Sequence, residues 1–219
     1  MQLHSDFSQR VVVNTALLPW VASPVPGIER QLLHRVGEEA AQATSIVRYA
    51  AGSRFTSHSH PLGEEILVLE GDFFDESGSY GPGTYIKNPD GSSHAPGSVG
   101  GCKLFVKLRQ LDPDDSTPVV VNTAAAQWFP GMVGGLSVLP LWSFGTTNTA
   151  LVRWAPRTYF NRHRHFGGEE IFVLDGVFAD DHGRYPAGTW IRGPHLSEHT
   201  PFTEEGCTIL VKTGHLPVQ

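Results

Sequence analysis

Two short segments hold the residues best suited to chemistry: His58-Ser59-His60 and His163-Arg164-His165. Successive side chains of a β-strand alternate between faces, so imidazoles at i and i+2 point the same way. Glu64 and Glu169 follow each pair closely, with the parity that returns a carboxylate to that face if the turns at Gly63 and Gly168 keep register. Glu65 and Glu170 then face away. His94 and His199 come thirty residues after the glutamates, beyond a further strand and turn, and can close each set. Three imidazoles and one carboxylate suit a divalent transition metal such as Zn, Fe, Cu or Ni, whereas all-oxygen sites favour Mg or Ca. A single His-x-His is more often a surface pair than a ligand pair. Here six of eleven histidines recur at three equivalent places in two copies, each time with the glutamate. His4, His34, His182, His195 and His215 have no such pairing and read as exposed.

The elements that must position these side chains are themselves duplicated. Shifting the sequence by 105 residues aligns Val47–Lys107 with Val152–Lys212 without a gap, and nearly half of the positions are identical. Upstream the register moves to 108, where Val11-Val12-Val13-Asn14-Thr15 matches Val119-Val120-Val121-Asn122-Thr123 and Trp20 matches Trp128. The polar, Pro-flanked run 112–118 reads as a linker. Two homologous domains are expected, 1–112 and 113–219. Short apolar runs bounded by glycine, such as 65–70 and 171–174, fit buried strands, as do 84–86, 189–191, 103–107 and 208–212. No long window has clean helical spacing, and Ile28–Glu39 comes nearest. Many short strands with turn signals between them point to an all-β sandwich or barrel.

Composition narrows the partners. Lys+Arg is 16 against Asp+Glu 22, a formal charge of −6, which argues against a nucleic-acid surface. Two cysteines, Cys102 and Cys207, build neither a disulfide framework nor a four-Cys zinc site, and a cytoplasmic, reducing setting is the simpler reading. No targeting segment is expected at the N-terminus. The stretch Ser116–Val152 has no charged residue, but Pro130, Gly131, Gly134, Gly135 and Pro140 break it, so no membrane span is expected. A surface hidden in an inter-barrel or homodimer contact is the expectation instead. Arg48, Arg153, Lys107 and Lys212 read as cross-strand salt-bridge residues, and Phe55, Phe73, Tyr80, Tyr85 and their repeats as core.

The first half reads Gly52-x5-His58-x-His60-x3-Glu64-x6-Gly71, then Gly83-x5-Pro89-x-Gly91-x2-His94. These residues resemble the two signature motifs of the cupin superfamily, a double-stranded β-helix or jelly-roll barrel. The second half keeps the pattern but has Arg157 and Leu196 where the motifs carry glycine. The resemblance covers nearly the whole chain as a tandem, or bicupin. Within cupins the wording is similar to the cupin domain of the anti-sigma factor ChrR and, more distantly, to acetylacetone-type dioxygenases. The ChrR resemblance implies zinc held by His58, His60, Glu64 and His94, and by His163, His165, Glu169 and His199. It implies a regulatory, oxidative-stress-sensing role. The dioxygenase resemblance implies Fe2+ with open positions and cleavage of a C–C bond in a small dicarbonyl compound. A third use is a binding module for a small oxygenated ligand. The anti-sigma factors grip their partner with a separate N-terminal helical domain that has no counterpart here, so direct sigma-factor binding is not expected. Catalytic residues are not identifiable from the motifs. Cys102 and Cys207 read as small buried hydrophobes, with a thiol near the metal as the alternative.

Overall fold

The computed structural model describes residues 1–218 and contains no α-helix among them, only one 3-10 turn at Thr15–Leu17. It forms two compact all-β units. In the first, antiparallel strands run in the order Gln2–Leu3, Ile28–Val36, Gln42–Tyr49, Cys102–Leu108, Glu64–Gly71, Thr84–Asn88 and Val119–Asn122. The second repeats this order from its second strand on, with Leu136–Phe144, Thr147–Trp154, Cys207–Thr213, Glu169–Asp180, Thr189–Gly193 and Val11–Asn14, and Phe129–Pro130 pairs with Leu136–Phe144 as Val21–Ala22 pairs with Ile28–Val36. Each unit is a jelly-roll barrel. The stretch nearest to helical spacing, Ile28–Val36, is a nine-residue strand.

The barrels depart from the simple division at residue 112. The units are Met1–Ser5 with Leu18–Ala126, and Asp6–Leu17 with Gln127–Gln219. The first Val-Val-Val-Asn strand pairs with Thr189–Gly193 of the second barrel, Val13 opposite Trp190. The second copy pairs with Thr84–Asn88 of the first, Val121 opposite Tyr85. The two matching strands have therefore changed places.

Period-2 alternation fills each interior. Ile28, Ile66, Val68, Phe73, Ile86, Cys102, Leu104 and Val106 form the first core, and Leu136, Trp154, Ile171, Val173, Phe178, Cys207 and Ile209 the second. Each such side chain, fully buried, contributes roughly 1.5–3 kcal/mol. Both cysteines are free and buried in these cores.

Turns hold the repeat in place. A Cβ on Gly71 would lie 2.0 Å from the Gly101 carbonyl oxygen, so only glycine fits where this strand crosses its neighbour. Arg157 and Leu196, the two departures from the motif glycines, keep the left-handed backbone at φ 57° and 60°, as Gly52 and Gly91 do at 76° and 73°. The turns survive substitution, at a conformational cost.

Of the unrepeated histidines, His34 is buried, contrary to expectation, because it lies within the strand Ile28–Val36, and the His215 side chain is buried beside Glu170. Arg48 pairs with Glu29 and stacks over Trp20, and Arg153 stacks over Trp128. Lys107 donates to Thr44 Oγ1 and stands opposite Glu65 in the ladder, and Lys212 lies over the Trp142 ring and stands opposite Glu170. In the uncharged stretch, Leu136, Leu139, Leu141 and Trp142 are buried, whereas Val120, Phe129 and Met132 are exposed.

Candidate metal centres

A two-residue ladder assembles each histidine set. His58–Ser59 pairs with Ser93–His94, placing His58 directly opposite His94, and His163–Arg164 pairs with Glu198–His199 in the same way. His60 and His165 lie just beyond, at i+2. The ring centroids of His58, His60 and His94 are 4.5–5.1 Å apart, and those of His163, His165 and His199 are 4.6–4.9 Å apart. In each trio one nitrogen per ring lies within 4.8 Å of the others, a group that could hold a metal ion.

Hydrogen bonds fix which nitrogen faces inward. His58 Nδ1 lies 3.0 Å from the Thr56 carbonyl oxygen, to which only an N–H can donate. Ser92 gives its proton to the Pro89 carbonyl and so accepts from His60 Nδ1 at 3.1 Å. His94 Nδ1 donates to Asp75 Oδ2 at 3.2 Å. Each ring is thus held as the Nδ1–H tautomer with its Nε2 lone pair free, the arrangement in which outer partners orient metal-binding imidazoles. In the second barrel His163 Nδ1 donates to the Asn161 carbonyl and His199 Nδ1 to Asp180 Oδ2, at 2.9 and 3.3 Å.

The glutamates join the same points. Glu64 Oε2 is 3.5 Å from both His60 Nε2 and His94 Nε2, and Glu169 Oε2 is 3.5 Å from both His165 Nε2 and His199 Nε2. Glu65 turns away and accepts from Tyr85 Oη at 2.8 Å. All eight residues singled out in the sequence are therefore gathered, four to a barrel. The donor set fits a divalent transition metal. His60 Nε2 and His94 Nε2 are buried without a hydrogen-bond partner, and His165 Nε2 faces His199 Nε2 at 3.1 Å, about the separation of two nitrogens each ~2 Å from one ion. Lone pairs converging in an apolar surround repel one another unless a cation lies between them.

Burial favours the neutral form of His60, His94, His163 and His165. Burial, then the neighbouring His94 and His58, pushes His60 down to about 3, and burial with His199 and His163 does the same to His165. Burial pushes both Glu64 and Glu169 up to about 7, in Glu64 against the opposing Asn88 hydrogen bond. His199 moves the other way from His94. Its burial is outweighed by the Asp180 hydrogen bond and by the charges of Glu169, Asp180 and Asp181.

Asp75 and Asp180 escaped the sequence reading. Each accepts from a histidine and from a tyrosine hydroxyl, Tyr80 at 3.0 Å and Tyr185 at 2.8 Å. Arg10, brought in beside the exchanged strand, donates to Asp180 and Tyr185 at 3.2 and 2.8 Å. A signal was present, since the aspartates lie on the 105-residue diagonal. The cysteines, by contrast, line neither cavity at the histidines.

Those cavities differ. The first barrel encloses about 440 Å³ beside His58, His60, Glu64 and His94, walled by Ile28, Val47, Tyr49, Phe55 and Leu104 among others. The second leaves about 180 Å³, lined apart from His163, Glu169 and His199 by apolar side chains. Trp154 stands there where the repeat has Tyr49.

No helix among the described residues is long and apolar enough to cross a membrane. No curated protein matches the chain. Solved structures match its fold at low identity. A Nostoc punctiforme PCC 73102 protein titled a "putative dioxygenase" superposes with a TM-score of 0.79 at 15% identity, over 97% of this chain and 85% of that one. YlbA from E. coli, of family DUF861, gives 0.74 at 15%, over 98% and 94%. Lactobacillus farciminis oxalate decarboxylase, solved as a formate complex, gives 0.65 at 12%, over 95% and 86%. The ChrR cupin-like domain model matches residues 8–112 and again 116–217. With both barrels matched in this way, the chain belongs to the ChrR cupin-like family and is a bicupin.

Proposed function

We propose that each barrel binds one divalent transition metal, through His58, His60, Glu64 and His94 in the first and His163, His165, Glu169 and His199 in the second. We further propose that the first barrel is a metal-dependent dioxygenase acting on a small dicarbonyl compound. The observation that supports this is the cavity of about 440 Å³ opening onto the first histidine trio. Its size falls within the range of small-molecule sites, and a metal closed off by structural ligands has no use for it. Fe2+ is the ion that combines imidazole and carboxylate ligands with open positions for oxygen donors and O2. The protein's part is to hold three neutral imidazoles in one tautomer, to keep water away with apolar walls, and to orient one small molecule.

The stress-sensing reading keeps one specific support, the match of both halves to the ChrR cupin-like model. The second barrel, with its smaller cavity, suits a structural Zn2+ better than turnover. Sensing through the thiols is disfavoured. Burial pushes Cys102 up to about 11 and Cys207 up to about 12, so both stay protonated and unreactive. The proposal keeps the cytoplasmic homodimer expected from the sequence.

Metal analysis of anaerobically purified protein, followed by O2 uptake with acetylacetone and its homologues after Fe2+ reconstitution, tests the reading. Uptake that is lost in His58→Ala and His94→Ala supports it. Stably bound zinc with no O2 consumption in the iron-loaded protein ends the dioxygenase reading and leaves the regulatory one.

A further inference from the structure

Two arginines and one glutamate, Glu39, line the mouth of the first cavity, and the second has no arginine in its lining. Arg30, on the strand Ile28–Val36, and Arg109, just past the strand Cys102–Leu108, both line the first cavity. Arg30 pairs with Val47, itself opposite Leu104, so its backbone lies several strand positions from Arg109 and only its side chain extends towards that end. Leu108 lies opposite Glu64 on one side and Ala43 on the other, so Arg109 is level with the metal-site glutamate and with the 37–41 hairpin. Arg30 reaches the same hairpin, with Nη1 3.4 Å from Glu39 Oε2. That contact is long, Glu39 is itself largely exposed, and Arg30 Nε is buried without a hydrogen-bond partner. Arg35 adjoins it, donating to the Glu38 carbonyl. A largely buried guanidinium with unused donors is costly unless an oxyanion completes it.

Arg109 adds an independent observation. Its backbone is left-handed at φ 58°, a conformation unfavourable for an arginine. In the second barrel the same position, with the same backbone bond to the preceding turn, is Gly214. Arg30 is likewise replaced by Val138, which pairs with Val152 as Arg30 pairs with Val47. Strain retained at a cavity mouth, on a charged side chain, is the mark of a functional position.

We propose that the first barrel takes an organic oxyanion, a small molecule with an apolar body whose carboxylate or phosphate is held at the mouth by Arg30 and Arg109 while its other end faces the histidines. The second barrel takes no such ligand. This rests on the first barrel being the ligand-binding one, and it narrows the substrate from dicarbonyl compounds in general to acidic ones.

Calorimetric titration of the metal-loaded protein with 2,4-dioxopentanoate and with its methyl ester compares the same dicarbonyl with and without the charge. Phenyl phosphate against phenol tests phosphate in the same way. The charged member of at least one pair is expected to bind about tenfold more tightly or better. In Arg30→Met and Arg109→Met that preference falls below about threefold while affinity for the neutral member holds. Arg109→Gly serves where a methionine variant folds poorly. It should raise the Tm by relieving the backbone while still losing the charge preference, a combination that a merely structural arginine would not give. Equal binding of charged and neutral members, no binding of either pair, or a preference unchanged in the variants overturns the proposal. O2 uptake with acetylacetone but no acid preference would overturn this inference and leave the dioxygenase reading standing. Arginine-dependent acid binding without O2 uptake would do the reverse.

Discussion

At the scale of single residues, each site depends on groups that never reach the metal position. Asp75 and Asp180 hold His94 and His199 by Nδ1, and each carboxylate is steadied in turn by a tyrosine. Asp75→Asn keeps the shape but can offer an N–H to Nδ1, which would move the ring proton to the inward nitrogen. We expect metal affinity at the first site to fall roughly 10–100-fold, read by competition with a chelator; unchanged affinity would show that the aspartate does not orient the ring. Protonation gives a second residue-level prediction. Without metal, Glu64 is protonated below about 7, whereas His60 is already neutral above about 3. Binding at the first site must then displace the Glu64 proton below pH 7. Affinity should rise about tenfold per pH unit up to that point and level off above it. At the second site Glu169 at about 7 and a raised His199 both release protons, so the slope near pH 6 is steeper there. Zn2+ titrations between pH 5.5 and 8 on variants that keep one site check both slopes, and Glu64→Gln should flatten the first.

At the scale of elements, the exchanged strands make a prediction that the repeat alone would place in the wrong barrel. Val13 is an N-terminal residue, yet its ladder partner is Trp190. Val13→Pro removes a ladder hydrogen bond and should destabilise the second barrel by roughly 2 kcal/mol. Trp128, Trp142, Trp154 and Trp190 all lie in that unit and Trp20 in the other, so tryptophan fluorescence reports chiefly on it. An early fluorescence transition with the first site's metal retained is the expected result; loss of the first site instead would assign the strand to the other barrel. The left-handed turns offer a converse test. Leu196 is largely exposed at φ 60°, so Leu196→Gly should stabilise by about 0.5–1 kcal/mol through relief of backbone strain, seen as a higher Tm.

At the scale of the molecule, one ancestral barrel has become two that differ in room and charge. The second barrel has a cavity of about 180 Å³ against about 440 Å³ in the first, with the larger Trp154 in place of Tyr49, and it loses the charges of Arg30 and Arg109 to Val138 and Gly214. We expect His163→Ala with His199→Ala to lower bound metal from two ions per chain to one and to leave O2 uptake nearly intact. The matching pair at His58 and His94 should abolish uptake. Metal stoichiometry measured beside O2 consumption decides whether the labour is divided in this way.

The sequence by itself determined the duplication, the all-β class and the eight residues that converge, because these are local patterns: a period of two, a glycine at a tight crossing, a spacing repeated at 105. It did not reveal His34 as buried or Asp75 as a histidine partner, since burial and a contact across nineteen residues depend on how strands are laid side by side. Nor could it choose which barrel receives which Val-Val-Val-Asn strand. The two copies are identical over those residues, so each edge accepts either, and only the path of the whole chain breaks the tie. The cavities, too, belong to the tertiary structure, because an enclosed volume is the remainder left by many side chains meeting from different strands.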